Sequence, residues 1–164
     1  MSQLVLIAGV SRSGKSSLAK ELCSRLNKAV HLDQDNFVKE EDEIPLINDR
    51  IDWETPESIN WAKWTQAIAK ATSEHDYVIA EGIFTLSDLQ LVKQADISIL
   101  LSIDEVEFKK RRHQEKRWGA EPDWFIQHVW NAHLKNHNPH QIIADFELQD
   151  FNDIDIQKIT ERLR

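Results

Sequence analysis

Short apolar runs alternate with longer amphipathic segments along the chain, the pattern of a βαβ protein built on a parallel sheet. Leu4 to Ala8 is wholly apolar and predicts the first strand. The segment Ser16 to Leu26 follows with Leu18, Ala19, Leu22 and Leu26 on one helical face. Ala29 to Leu32 predicts a second strand. Tyr77 to Ala80 and Ile97 to Leu101 predict the third and fourth, nearly all apolar as strands covered on both faces must be. Thr55-Pro56-Glu57-Ser58 carries helix-start signals, with Thr as N-cap, Pro at the first helical position and an acid near the positive end of the dipole. It predicts a helix to about Thr72. Asp104 to Arg117 and Trp124 to Asn136 read as two more helices, broken by Gly119 and Pro122. A fifth strand falls within Gln141 to Leu148, before a closing helix from about Asp153 to Leu163. Gln34 to Asp52, with the run Glu40-Glu41-Asp42-Glu43 and Pro45, reads as an exposed connection. The expected fold class is α/β, a three-layer arrangement with a parallel five-stranded sheet and helices on both faces.

A length of 164 residues suits one domain, here spanning residues 1–164. With 41% hydrophobic and 29% charged residues and a mean hydropathy of −0.51, the composition is that of a soluble globular chain. The net charge of −8 argues against a protein that works by neutralising a nucleic-acid backbone or an anionic membrane surface. Cys23, without a second cysteine, excludes an internal disulfide and a cysteine-based zinc site. The opening residues lack a basic stretch before a long apolar run, so the expected location is the cytoplasm.

The chemistry concentrates first in Gly9-Val10-Ser11-Arg12-Ser13-Gly14-Lys15-Ser16, a full match to G-x-x-x-x-G-K-[ST] between a predicted strand and a predicted helix. Two glycines let the backbone curl with its N–H groups inward, and the next helix adds its positive end, so a triphosphate is held by main-chain donors. Lys15 is placed to reach the β- and γ-phosphates and Ser16 to offer a hydroxyl to Mg²⁺. The ligand expected is ATP. No Asn/Thr-Lys-x-Asp segment follows a strand, since Asn27-Lys28-Ala29-Val30 lacks the acid, which weakens a GTPase reading. The length leaves little room for the appended subdomains of motor ATPases. A small kinase remains, and it needs carboxylates to orient an acceptor hydroxyl and to help hold the metal. Asp33 and Asp35 follow the second strand and Glu81 ends the third. The plainer reading of each is a solvated loop acid.

On these motifs the chain resembles the uridine kinase superfamily of P-loop kinases, and within it the nicotinamide riboside kinases. The resemblance runs from Leu4 to about Lys135. It rests on Gly9 to Ser17, Gln34-Asp35-Asn36-Phe37, Trp53-Glu54-Thr55-Pro56-Glu57, Glu81-Gly82, Lys110-Arg111-Arg112 and His128-Val129-Trp130, the last being specific to the nicotinamide riboside kinases. The resemblance implies catalytic roles for Asp35, Lys15 and Arg112, with Asp35 as the base for the acceptor hydroxyl. It implies ATP binding by residues 9–17 with Arg112, Lys116 and Arg117, and a metal side made of Ser16, Asp35 and Glu81. For the substrate it implies Asp35, Asn36, Phe37, Trp53, Glu54, His113 and Trp118, with Trp53 and Trp118 stacking on the base and Glu54 on the ribose hydroxyls. A lid is implied at about residues 111–127. Three positions depart from the family pattern: Glu54 stands where Asp is usual, Asn36 where a second Asp is common, and His113 where Arg is expected. The lid segment from Gly119 to Gln127 is also a little shorter.

Independently of the resemblance, Asp52-Trp53-Glu54 offers an aromatic face and carboxylates, which suit a cationic pyridinium. From Lys109 to Arg117, six of nine residues are Lys or Arg, a local reversal of the acidic balance. Arg111, Arg112, Lys116 and Arg117 are therefore expected to close over the phosphates and exclude water; a solvated helix face is the simpler alternative. His133 and His137 have the spacing of a helical metal pair, but no His-Glu-x-x-His pattern completes it, and an amphipathic helix explains it equally. The expected reaction is ATP-dependent phosphorylation of the 5′-hydroxyl of nicotinamide riboside to the mononucleotide, a step of NAD salvage. A uridine, cytidine or other small-metabolite kinase is the alternative within the fold, and an ATP-binding switch without transfer is the alternative outside it. The expected partner is a small-molecule nucleoside rather than nucleic acid or membrane, with the chain acting as a monomer or weak homodimer.

Overall fold

The computed structural model describes residues 1–117, 119–136 and 143–163. Its centre is a five-stranded sheet in the order β2-β5-β1-β6-β7, formed by β1 (Gln3–Gly9), β2 (Ala29–Asp33), β5 (Tyr77–Glu81), β6 (Ile97–Ser102) and β7 (Phe146–Gln149). All four pairings are parallel. The side chains of β1 show why the sheet is covered on both sides. Leu4, Leu6 and Ala8 enter one core with Trp64 and Ile68 of α2 (Trp61–Glu74) and Leu91 of α3 (Leu89–Gln94). Val5 and Ile7 enter the other with Leu18 and Leu22 of α1 (Lys15–Arg25) and Ile156 and Ile159 of α6 (Asp153–Arg162). Burying each large aliphatic side chain contributes about 1.5–3 kcal/mol, so the alternation along one strand secures two layers of helices at once. The expected three-layer α/β fold is present.

A third cluster sits beyond the carboxyl end of β6, where Phe108 of α4 (Glu105–Gln114) packs with Phe125, Ile126, Val129 and Trp130 of α5 (Asp123–Asn136) and with Val10. It fixes α5 against the loop that follows β1.

Several expected boundaries move. The helix expected from Thr55 begins instead at Trp61: Thr55 to Ser58 close a short 3₁₀ turn, and Asn60 caps α2 by accepting from the Lys63 N–H at 3.1 Å. The Thr55 hydroxyl turns to donate to the Glu57 carboxylate and caps no backbone N–H. The basic helix ends at Gln114 rather than Arg117, because Glu115 is already extended. The connection from Gln34 to Asp52 is more structured than expected. It holds two 3₁₀ turns and a small hairpin of β3 (Leu46–Ile47) and β4 (Arg50–Ile51), turned at Asn48 and Asp49, both with positive φ as a tight hairpin turn requires.

Candidate functional site

In a parallel sheet the loops at the carboxyl ends of the strands share one crevice. Here the loop after β1, the turn after β2 and the end of β5 meet there, because Glu81 is level with Ile7 of β1 on one side and with Asp33 of β2 on the other.

The loop Gly9 to Ser16 curls as its motif predicts. Gly14 sits at φ 97° immediately before α1. Gly9 leaves room for the β6 backbone, as a Cβ there would come within 2.5 Å of Leu101 O. The first turn of α1 has no side-chain cap, whereas Asn60, Asp88, Asp104 and Asn152 cap α2, α3, α4 and α6. Its N–H groups and its positive end therefore face the crevice. Lys15 is buried, its Nζ donating to Val10 O at 3.1 Å, and burial pushes its pKa down while Glu81, Asp35, Glu54 and Asp33 pull it back up. Ser13 Oγ is buried without a hydrogen-bond partner among the described residues. Ser17 is exposed on the outer side of the first turn.

Four carboxylates surround Lys15 at distances where charges act on one another. Glu81 is 1% exposed and accepts from Ser16 Oγ at 2.5 Å and His31 Nε2 at 3.2 Å. Burial would raise its pKa, but these two hydrogen bonds and the Lys15 charge outweigh it and the net shift is downward. Asp33 caps the 3₁₀ turn Gln34–Phe37, its Oδ1 accepting from the Asp35 N–H at 2.9 Å, and so turns Asp35 into the mouth of the crevice. Asp35 is exposed to solvent. Partial burial and then the Asp33 charge push its pKa up, against Lys15 and Arg117. Gln34 is buried between the ends of β2 and β5, and its Oε1 accepts from the Phe84 N–H at 3.0 Å.

On the opposite wall, Glu54 is buried and its pKa is pushed up to about 7, by burial first and by Asp52, with Arg112 opposing. Trp53 is 36% exposed beside it. Asn36 is exposed, and Phe37 meets Trp64 edge-on at 5.2 Å between centroids.

The basic segment is tied up in ion pairs. Arg112 is buried, held by both Glu121 oxygens at 2.6 and 2.9 Å, and reaches Ser11 Oγ at 2.6 Å. Arg12 and Arg117 share Glu115, at 2.6 and 2.9 Å, and these contacts hold the Glu115 carboxyl down at about 2. Arg111 turns to Glu107 and Asp150 and donates to Arg12 O. Lys116 is exposed.

The structure thus gathers Lys15, Ser16, Asp35, Glu54, Glu81 and Arg112 about one crevice. It does not bring His113 into that cluster: the ring is exposed, 3.8 Å from Asp123. Trp118 and His137 lie outside the described residues. His133 packs against the Trp130 ring. Sequence reasoning gave no role to Gln34, although it stands in one of the motifs, and missed His31, Glu115 and Glu121. His31 had a signal, since it alternates with Leu32 at the end of a strand adjoining the phosphate loop. The two glutamates had none beyond lying near the basic run.

No protein-family model matches the chain. It is 29% identical to human nicotinamide riboside kinase 1 over 149 residues, covering 80% of this chain and 75% of that protein. It is 23% identical to the nicotinamide riboside kinase of Saccharomyces cerevisiae over 195 residues, covering 88% and 81%. Among solved structures, shikimate kinase from Acinetobacter baumannii superimposes with a TM-score of 0.62 at 19% identity, covering 98% of this chain and 92% of that one. A possible uridine kinase from Bacillus stearothermophilus gives 0.59 at 16% identity, covering 90% and 89%. The chain has the fold of the small P-loop kinases, and the resemblance to nicotinamide riboside kinases read from its motifs extends over about four-fifths of its length.

Proposed function

We propose that the chain is an ATP-dependent phosphotransferase that phosphorylates the 5′-hydroxyl of nicotinamide riboside, giving the mononucleotide and ADP. The observation that carries the reading is the placement of Asp35 in the same crevice as the uncapped start of α1, Lys15 and the Ser16–Glu81 pair. The similarity to nicotinamide riboside kinases supports the choice of acceptor.

In this reading the N–H groups of residues 9–17 and the Lys15 ammonium hold the triphosphate. Asp35, made more basic by burial and by Asp33, accepts or orients the proton of the acceptor hydroxyl. Trp53 lays its ring against the pyridinium and Glu54 takes ribose hydroxyls, with Asn36 and Phe37 closing the pocket. Arg112, already on Ser11, and Arg117, whose charge reaches Asp35, stabilise charge on the transferring group, with Lys116 in the same segment. Residues 111–127 act as the lid and exclude water, which favours transfer over hydrolysis.

Ser16, Glu81 and Asp35 fit Mg²⁺, since they are hard oxygen donors around Lys15. Among the described residues no group of three or more His, Cys, Asp or Glu could hold an ion unaided, which suits a metal carried largely by phosphates and water. Bound there, Mg²⁺ supplies neutralisation of the phosphate oxygens. Among the described residues no helix is long and apolar enough to cross a membrane.

The test is ADP release with Mg-ATP and a panel of nicotinamide riboside, nicotinic acid riboside, uridine, cytidine, adenosine, shikimate and water. A kcat/KM for nicotinamide riboside at least about tenfold above the others, worth about 1.4 kcal/mol in transition-state binding, is expected. ADP release independent of any acceptor would overturn the reading.

A further inference from the structure

Helix α5 grips the segment Arg50 to Glu54 at three points. His128 Nε2 donates to Asp52 Oδ1 at 2.9 Å, and the same oxygen receives the Glu54 N–H at 3.1 Å. Asn136 Nδ2 donates to Glu54 O at 3.4 Å, and the Arg50 guanidinium stands 5.2 Å over the Phe125 ring. The histidine and aspartate side chains are 22% and 18% exposed, so water competes weakly for their bond. The helix itself is fixed by Phe125, Ile126, Val129 and Trp130, all buried against Val10 and Phe108. His128 therefore projects from a rigid element onto the stretch where the chain leaves the β3–β4 hairpin, just past the last hairpin bond, Asp52 N–H to Pro45 O at 2.8 Å.

We propose that His128 is a positioning residue for the acceptor: through Asp52 it fixes the backbone at Glu54, and so sets where the Trp53 ring and the Glu54 carboxyl meet the nucleoside. The assignment rests on the reading of residues 52–54 as the acceptor wall. A further consequence follows from where α5 starts. Glu121, two residues before it, grips Arg112, and Arg112 reaches Ser11. One chain of contacts thus joins the phosphate loop to the acceptor loop, and His128 is its last link.

The test compares the wild-type chain with His128→Leu, His128→Gln, Asp52→Ala and the His128→Leu/Asp52→Ala double variant. Three quantities are read: KM for nicotinamide riboside at saturating Mg-ATP, KM for ATP, and amide hydrogen exchange of residues 51–55. Losing a sheltered hydrogen bond to a carboxylate is expected to raise the acceptor KM about tenfold in His128→Leu, with the ATP KM within about twofold. Exchange of residues 51–55 speeds up in parallel. His128→Gln, whose amide nitrogen reaches the position of Nε2, restores both readings to within about threefold of wild type. Asp52→Ala matches His128→Leu, and the double variant adds nothing more. The proposal is overturned if His128→Leu leaves acceptor KM and exchange unchanged, if it raises both KM values equally, or if Gln fails to rescue. A wild-type chain that phosphorylates no nucleoside would instead overturn the acceptor reading itself, a result separate from any of these.

Discussion

Ser16 Oγ donates to Glu81 Oε1 at 2.5 Å, bridging the first turn of α1 and the last residue of β5. The bridge joins the phosphate loop to the acid that stands level with Asp33, and His31 closes it from the other side. Glu81→Gln keeps the shape and removes the charge. We expect kcat to fall about 10²-fold or more, the scale of a lost charged group at the reacting centre. Because the Glu81 pKa is lowered in the native state, its stabilisation is present above the ordinary value of 4.5 and is lost as pH falls through the native value. Acid unfolding followed by circular dichroism should therefore be less steep in Glu81→Gln. An unchanged acid limb would contradict this.

Glu54 shows the opposite sign. Its carboxyl holds a proton up to about 7 in the native state against 4.5 ordinarily, so stability is lost as pH rises between those values. Ionising it in place costs on the order of 3 kcal/mol. Urea unfolding at pH 5 and pH 8 should show that loss in the wild type and a flatter dependence in Glu54→Gln. Equal slopes in the two chains would mean that the carboxyl is not held in its neutral form.

Gly82 is pressed against the Gln34 side chain, and a Cβ placed there would come within 2.6 Å of Gln34 Oε1. The added Cβ also meets Gln34 Cβ, which no rotation of the amide relieves, so Gly82→Ala must shift the turn that carries Asp35 and strain the bond from the Phe84 N–H to Gln34 Oε1. A loss of about 1–3 kcal/mol in stability is expected, together with a lower kcat. Thermal melting and initial rates check both. A variant with wild-type melting and rate would show that the contact has slack.

The inner strands were legible because β1, β5 and β6 are nearly unbroken apolar runs covered on both faces, Leu4 to Ala8 being the plainest case, whereas the edge strand β7 alternates Phe146-Glu147-Leu148-Gln149 and shows no such run. The phosphate loop was legible because its spacing is dictated by main-chain geometry. What escaped had local or remote causes. α3 has six residues, too few for a helical period to show. The Asn48-Asp49 turn carries a hairpin signal, but the strands it joins, Leu46-Ile47 and Arg50-Ile51, are too short to show an alternation, and the acidic run before them has the composition of an exposed connection. Thr55-Pro56 has the signs of a helix start, yet the Ser58 hydroxyl donates back to Thr55 O and Trp53 O, and the chain needs a second start at Asn60. The pairing of Arg112 with Glu121, and of His128 with Asp52, depends on how helices cross the crevice, which no periodicity reports.

The central claim is that this crevice transfers phosphate with Asp35 acting on the acceptor hydroxyl. The most direct measurement is Asp35→Asn in a single-turnover assay with nicotinamide riboside, alongside the affinity of the same variant for Mg-ATP. The account predicts transfer reduced about 10²-fold or more with ATP affinity within about threefold of wild type, since main-chain donors and Lys15 remain. Transfer near the wild-type rate in Asp35→Asn would contradict it.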